Sequence, residues 1–297
     1  MAKGVLTIKA KPSYKDIPGV QYHFGRELLD RIEQTLNDGI IFYEPRRPSA
    51  DLSSRGGRQA YFATATPFQI REDPELADHY FCDLKNYLEF LRPIGFVENG
   101  VYYESALQKA DGSTNKGKFG QSVRIIPDAE FEAILTAGFA GLLASPIGDG
   151  QVADDDEEPL TIDRPLVELT GLKPFRTLAF RKGVREAYDN RCALTGLRLL
   201  NTKGNPEVQA AHIRPVKDKG SDSIRNGLAL TGTMHWLFDA GLISVAEDMK
   251  ILIAEKYVPP KVVQLINPTR EINLPRDRTH WPHPSFLAHH RTVYFKG

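Results

Sequence analysis

The sequence predicts an α+β protein of two dissimilar domains, and three observations predict it. Strand-like apolar runs, separated by short helical patterns, dominate the chain up to about residue 145. A glycine-bearing, strongly acidic segment then breaks the pattern. Beyond it, helix, strand and loop signals alternate at short range around several histidines. Two domains with cores of their own fit comfortably in 297 residues.

The first part is read from its strands. Gly39-Ile40-Ile41-Phe42-Tyr43-Glu44-Pro45 is a continuous apolar run stopped by proline, as a buried strand is. Residues 58–65 form a second strand signal, and 101–104 and 122–126 are shorter ones. Helical spacing of apolar residues occurs over 26–36, 79–91 and 128–137. Strands with short helices between them predict a small mixed β-barrel. Gly148-Asp149-Gly150 followed by Asp154-Asp155-Asp156-Glu157-Glu158-Pro159 is a self-repelling, solvated linker. It divides the chain into residues 1–145, a linker at 146–160, and residues 161–297.

After the linker, residues 174–188 read as a helix with Phe175, Leu178, Ala179 and Val184 on one stripe. Residues 197–200 and 208–213 suggest a strand pair, followed by a polar loop at 215–226 and a short helix at 233–240. Residues 243–246 and 250–254 form a hairpin around Glu247-Asp248. The proline- and histidine-rich stretch at 274–295 has no assignable element.

Composition narrows the function classes. The apolar and charged fractions are those of a soluble globular protein. No apolar stretch approaches a membrane span and no signal-peptide core is visible at the N-terminus, so a cytoplasmic protein without a membrane partner is expected. Two distant cysteines, Cys82 and Cys192, exclude a disulfide framework and a zinc site built on paired CxxC motifs. The net charge of zero hides an asymmetry. Residues 161–297 hold 21 basic and 13 acidic side chains, leaving 17 and 25 for residues 1–160. A basic second half suits contact with a phosphate backbone.

One constellation carries chemistry. Ala210-Ala211-His212-Ile213-Arg214-Pro215 is followed by Asn226-Gly227-Leu228 and then by His235-Trp236-Leu237-Phe238-Asp239-Ala240-Gly241. His212 ends a predicted strand, Asn226 closes the loop, and His235 and Asp239 lie four apart on one helix face, able to reach one cation. Phosphodiester hydrolysis needs an activated water, a cation on the phosphate oxygens, and rigid placement of both. A neutral imidazole accepts the water's proton near neutral pH, provided its other nitrogen is held by an acceptor. Asn226 either fixes the loop or supplies that acceptor. His235 and Asp239 offer one nitrogen and one carboxylate oxygen to the metal, with Gln209 an outer partner.

From about residue 181 to 255 the chain resembles the HNH endonuclease family, whose fold is a ββα-metal finger. The resemblance implies His212 as general base, Asn226 as the loop asparagine, His235 as helix metal ligand and Asp239 as a second one. Arg214 is expected on the DNA. It also implies one divalent cation per site, Mg²⁺ or Mn²⁺. Two departures stand out. Ala211 occupies the place where many members carry a further ligand, and Cys192-Ala193-Leu194-Thr195-Gly196 lacks the second cysteine of a CxxCG motif, so no structural zinc is expected.

Residues 3–135 are similar to EVE-like domains of the PUA superfamily, on the spacing of the 40–45 strand, the 57–65 strand and the Asp73-Pro74 turn. Readers of that superfamily extrude a base into an aromatic pocket. Here Phe24, Tyr80, Phe81, Ser122 and Arg124 are the candidate pocket. The whole then resembles modification-dependent restriction endonucleases: a reader of modified cytosine in double-stranded DNA joined to a nuclease, with two copies on DNA for two-strand cleavage. Two alternatives remain open at this level. The N-terminal domain senses another mark, such as a phosphorothioate, or a protein partner; or the HNH core binds DNA without cutting, which Ala211 keeps open.

Overall fold

The computed structural model describes residues 2–9, 15–47, 51, 55–143, 170 and 173–297. The acidic linker expected at 146–160 lies outside these residues, as do its junctions at 145 and 161. By their contacts the described residues fall into two units, the division passing between Arg176 and Thr177. No helix among them is long and apolar enough to cross a membrane.

The first unit is built on one six-stranded sheet. Its strands are β1 (Lys3–Thr7), β2 (Gln21–Gly25), β3 (Ile40–Glu44), β4 (Ala60–Glu72), β5 (His79–Gly95) and β8 (Val123–Ile126), in the order β2-β5-β4-β3-β1-β8. A separate ribbon pairs β6 (Val97–Glu98) with β7 (Val101–Tyr102). β1 and β3 run parallel and the other neighbours antiparallel. Register shifts between β3 and β4 and at three places between β4 and β5 bend the sheet, because each bulge adds local twist. The bending is enough that Tyr22, on edge strand β2, donates its hydroxyl to the carbonyl of Thr7 at the end of β1, at 3.3 Å. The sheet therefore curls around an interior of Leu6, Tyr22, Phe24, Ile40, Phe42, Cys82, Leu84 and Val123, into which α1 (Leu29–Glu33) inserts Ile32. α2 (Lys116–Phe119) precedes β8, and α3 (Asp128–Leu143) follows it, burying Phe131, Ile134, Leu135 and Phe139.

The helix expected at 79–91 is instead strand β5, the longest in the sheet. Leu84, Tyr87, Leu88 and Leu91 recur at helical spacing, but the strand reaches the same spacing by irregularity. Asn86 sits at φ 54°, in the left-handed region, and shifts the two-residue alternation. Pairing on both sides, with β2 and β4, then outweighs local propensity. β4 likewise runs on from the predicted 58–65 segment to Glu72.

The second unit holds most of α4 (Lys173–Ala187), then β9 (Gln209–His212), β10 (Gly227–Leu230), α5 (Gly232–Asp239), the β11 (Ile243–Val245) and β12 (Ile251–Ile253) hairpin, α6 (Pro260–Val263) and α7 (Pro284–Val293). Residues 197–200 are not the partner of β9. Leu197, Leu199 and Leu200 are exposed, and the pairing there is a single bridge, Leu200 to Pro206. β9 pairs antiparallel with β10 instead, and the backbone of Ala193 donates to Ala229 alongside β10.

Candidate active site

The β9–β10 pair sets His212 directly opposite Gly227, and Gln209 opposite Leu230 at the far end. Between the strands the chain leaves and returns through residues 213–226, and Asn226 ties that loop shut. Its carboxamide oxygen accepts from the Arg214 amide at 2.9 Å, and its Nδ2 donates to the carbonyls of Arg214 and Ser221, both at 2.9 Å. The Ile213 amide donates to the Asn226 carbonyl at 2.8 Å. The side chain is fully buried, so all of its polar capacity is spent on backbone. Gly220 is required beneath it: a Cβ there would lie 1.8 Å from the Arg214 carbonyl oxygen. Of the two roles open to Asn226 in the sequence, the fold assigns loop closure.

The acceptor on His212 is Asp222, which sequence reasoning did not single out. Its Oδ1 lies 3.1 Å from His212 Nε2. Phe180 of α4 stacks on the imidazole, with centroids 3.9 Å apart and planes 11° from parallel. This approach depends on Gly227, since a Cβ at that position would come within 2.3 Å of Val184 and 3.2 Å of Phe180. The His212 side chain keeps 26% of its surface open to solvent, and Nδ1 has no partner among the described residues. An imidazole with one nitrogen held, its plane fixed and the other nitrogen open to water can act as a general base.

At the other end of β9, His235 and Asp239 share one face of α5. His235 Nε2 lies 3.4 Å from Asp239 Oδ2, and His235 Nδ1 lies 2.8 Å from Gln209 Oε1. With the Nδ1 proton donated to that carbonyl oxygen, the lone pair on Nε2 faces the Asp239 carboxylate. Two acceptors at that distance repel unless a proton or a cation lies between them. The donor set therefore suits a divalent cation, as one imidazole whose second nitrogen is anchored plus one exposed carboxylate. Among the described residues no group of three or more His, Cys, Asp or Glu gathers around a point, so these two side chains leave most of a cation's shell to water and phosphate. Ala211, in the place of a further ligand, is fully buried. The N-terminus of α5 is capped from outside the helix, Glu207 Oε1 accepting from the Gly232 amide at 2.9 Å.

Residues 192–246 match the family model described as HNH endonuclease. This segment is an HNH endonuclease domain. The chain is therefore an enzyme, a nuclease with DNA as its partner. None of the curated proteins matches it. Among solved structures it is similar to the Modification dependent TagI restriction endonuclease, at 14% identity over 97% of this chain and 80% of that one, with a TM-score of 0.32. It is also similar to the N-terminal domain of Staphylothermus marinus McrB, at 12% identity over 46% and 94% and a TM-score of 0.31. A third is the Type IV phosphorothioation-dependent restriction endonuclease ScoMcrA, at 14% identity over 78% and 46% and a TM-score of 0.19.

The unassigned histidine-rich stretch proves to brace the HNH domain. His290 of α7 is buried, stacks on Phe238 of α5 at 3.8 Å, donates from Nε2 to the Phe238 carbonyl at 3.1 Å and accepts from the Ser244 hydroxyl at 2.9 Å. Burial pushes its pKa down to about 4. Its neighbour His289 and, four residues on, Tyr294 both bind Asp218 in the loop of residues 213–226, and together they hold that carboxyl below its usual range. Arg214 Nε is spent on the Asp218 carbonyl at 2.6 Å, while its terminal nitrogens have no partner among the described residues.

The five candidate reader residues are not gathered together. Phe24 and Tyr80 pair across β2 and β5 and stack at 5.8 Å on the interior side. Phe81, the next residue, points to the opposite face, where it stacks on His23 and lies under Arg71. Arg124 is buried and fully engaged: Glu104 accepts two of its bonds at 2.6 and 2.8 Å, and Gln121 and Thr7 accept others. Ser122, exposed beside β8, gives its carbonyl to the Thr7 amide.

Proposed function

We propose that this protein is a modification-dependent DNA endonuclease. Residues 1–145 form an EVE-like domain that captures a flipped, modified cytosine, residues 146–160 link it to the nuclease, and residues 161–297 cut the backbone. In the HNH domain His212 takes the proton of the attacking water, Asn226 holds the loop that carries its partner, and His235 and Asp239 hold one Mg²⁺ or Mn²⁺. When bound, that cation supplies positive charge to the phosphate. The observation that carries the nuclease reading is the two-ended site on β9: an imidazole open at one nitrogen at one end, and an imidazole–carboxylate pair facing each other at the other. The terminal nitrogens of Arg214 lie on the same loop, free for a phosphate oxygen.

Support for the reader comes from the first unit. It is a curled sheet whose interior edge carries the Phe24–Tyr80 stack. A flipped base is read by stacking and by bonds to its edge. The experiment is digestion of one plasmid in unmodified, 5-methylcytosine and 5-hydroxymethylcytosine forms, with Mg²⁺, Mn²⁺ or chelator. Cleavage of a modified form only, lost with chelator and in His235→Ala, is the expected result. Equal cleavage of all three overturns the reader assignment, and cleavage that survives chelator overturns the metal.

A further inference from the structure

We infer that Asp222 is the positioning residue of the nuclease: it fixes the single proton of neutral His212 on Nε2 and so makes Nδ1 the nitrogen that receives the proton of the attacking water. The inference rests on the reading of His212 as general base and adds which atom acts and what selects it.

A neutral imidazole carries one proton, and either nitrogen can hold it. A carboxylate only accepts, so Asp222 Oδ1 at 3.1 Å from Nε2 selects the form with hydrogen on Nε2. The lone pair then resides on Nδ1, the nitrogen with no partner among the described residues. Phe180 cannot make this choice, because ring stacking fixes the plane and does not distinguish the two nitrogens. Gly227, opposite on β10, has no side chain to offer. Asn226, one residue beyond Arg225, spends its amide on the Arg214 and Ser221 carbonyls and is not a competitor. The charged groups on the elements around the ring are Lys173, Arg176, Arg181, Lys182, Arg185 and Glu186 of α4, and Arg214, Lys217, Asp218, Lys219, Asp222 and Arg225 of the loop. Most are cationic; of the anions, Asp218 is engaged by His289 and Tyr294, and Asp222 is the one placed against the ring at 3.1 Å.

The same carboxylate acts during the reaction. Water gives a proton to Nδ1, and the hydroxide oxygen bonds to phosphorus as the bond to the leaving sugar oxygen breaks. That oxygen takes a proton from solvent, and the imidazolium returns its extra proton to solvent afterwards. While the imidazolium exists, Asp222 faces its positive charge. Removal of the carboxylate therefore takes away the acceptor that selects the tautomer, and an amide in its place can donate to Nε2 and drive the proton onto Nδ1, the unreactive form.

The test uses the full-length protein and three measurements. Single-turnover plasmid cleavage is compared for wild type, Asp222→Asn and His212→Ala, with DNA affinity measured in chelator. Asp222→Asn is expected to slow cleavage about 10²–10⁴-fold, to bind DNA within a few-fold of wild type, and to carry the ring hydrogen of His212 on Nδ1. Cleavage within a few-fold of wild type, or a slow variant that keeps its ring hydrogen on Nε2, overturns the proposal. If His212→Ala itself cuts like wild type, the general-base reading fails instead, so the two failures are distinguishable. Long-range ¹⁵N correlation of the His212 ring in the wild-type protein decides independently of how the variant folds. Hydrogen on Nε2 is expected, and hydrogen on Nδ1 overturns the assignment.

Discussion

His212 and Asn226 lie at the two ends of one loop and divide its work, so their substitutions are expected to fail in different ways. His212→Ala removes a solvent-reaching imidazole whose contacts are one carboxylate and one ring face. The expected outcome is cleavage slowed about 10²–10⁴-fold with duplex binding nearly intact, measured by plasmid nicking and by fluorescence anisotropy. Cutting within a few-fold of wild type would falsify the base assignment. Asn226→Asp keeps the shape but removes both donors, leaving the carbonyls of Arg214 and Ser221 facing an acceptor. An unpaired buried group costs about 1–3 kcal/mol, so a loss of about 2 kcal/mol or more is expected in denaturant unfolding, together with lost cleavage. An unchanged midpoint would mean that the loop closes without Asn226.

At the scale of elements, helix α5, which carries His235 and Asp239, is short and held from outside itself. Glu207 caps its start, Gln209 anchors His235, and α7 grips its end through His290. His290 is neutral when folded, with a pKa of about 4 against an ordinary value of 6.5. Between those two values the unfolded chain binds the extra proton and the folded chain does not. Stability is therefore full above about pH 6.5 and is lost as pH falls toward 4. The ceiling is on the order of 3 kcal/mol, from 1.36 kcal/mol per unit. Thermal midpoints measured from pH 7 to pH 4 are expected to fall, with a shallower slope in His290→Gln than in wild type. Parallel slopes would show that another group sets the acid sensitivity.

Over the whole molecule, the proposed reading takes backbone attraction to lie in the second half, which holds 21 basic and 13 acidic side chains, and recognition in the first. Phosphate contacts hold a protein on DNA without telling one sequence or base mark from another. A methyl group sensed through apolar contact is worth about 1 kcal/mol, so binding alone discriminates on the order of tenfold. A fragment of residues 161–297 is expected to cut modified and unmodified plasmid equally, while the full-length protein prefers the modified one. A fragment that keeps the preference would place the reader in the nuclease half. Full-length protein and fragment cutting alike, without preference, would remove the reader from the reading altogether.

The placement of the candidate site residues was legible in the sequence because their elements are local. His212 at a strand end, Asn226 closing a loop, and His235 with Asp239 one helical turn apart are short-range patterns. The 39–45 and 122–126 strands and the 128–137 helix, found at Ile40–Glu44, Val123–Ile126 and Asp128–Leu143, were legible for the same reason: each buries a contiguous or periodic apolar run. What tertiary structure alone decided has a common cause, the choice between partners distant along the chain. β5 reads as a helix until β2 and β4 bind it on both sides and a left-handed Asn86 resets its alternation. β9 pairs with β10 across the loop instead of with the neighbouring leucines, because Asn226 closes that loop onto Arg214. Asp222 is one polar residue in a polar loop, and Phe180 is one apolar residue on a helix 32 positions before His212. Neither has a sequence signal that points to the imidazole. The fold brings them to it, since a hydrogen bond to one ring nitrogen and a stack on the ring face require a closed loop and a glycine-floored helix contact that exist only after the chain has folded.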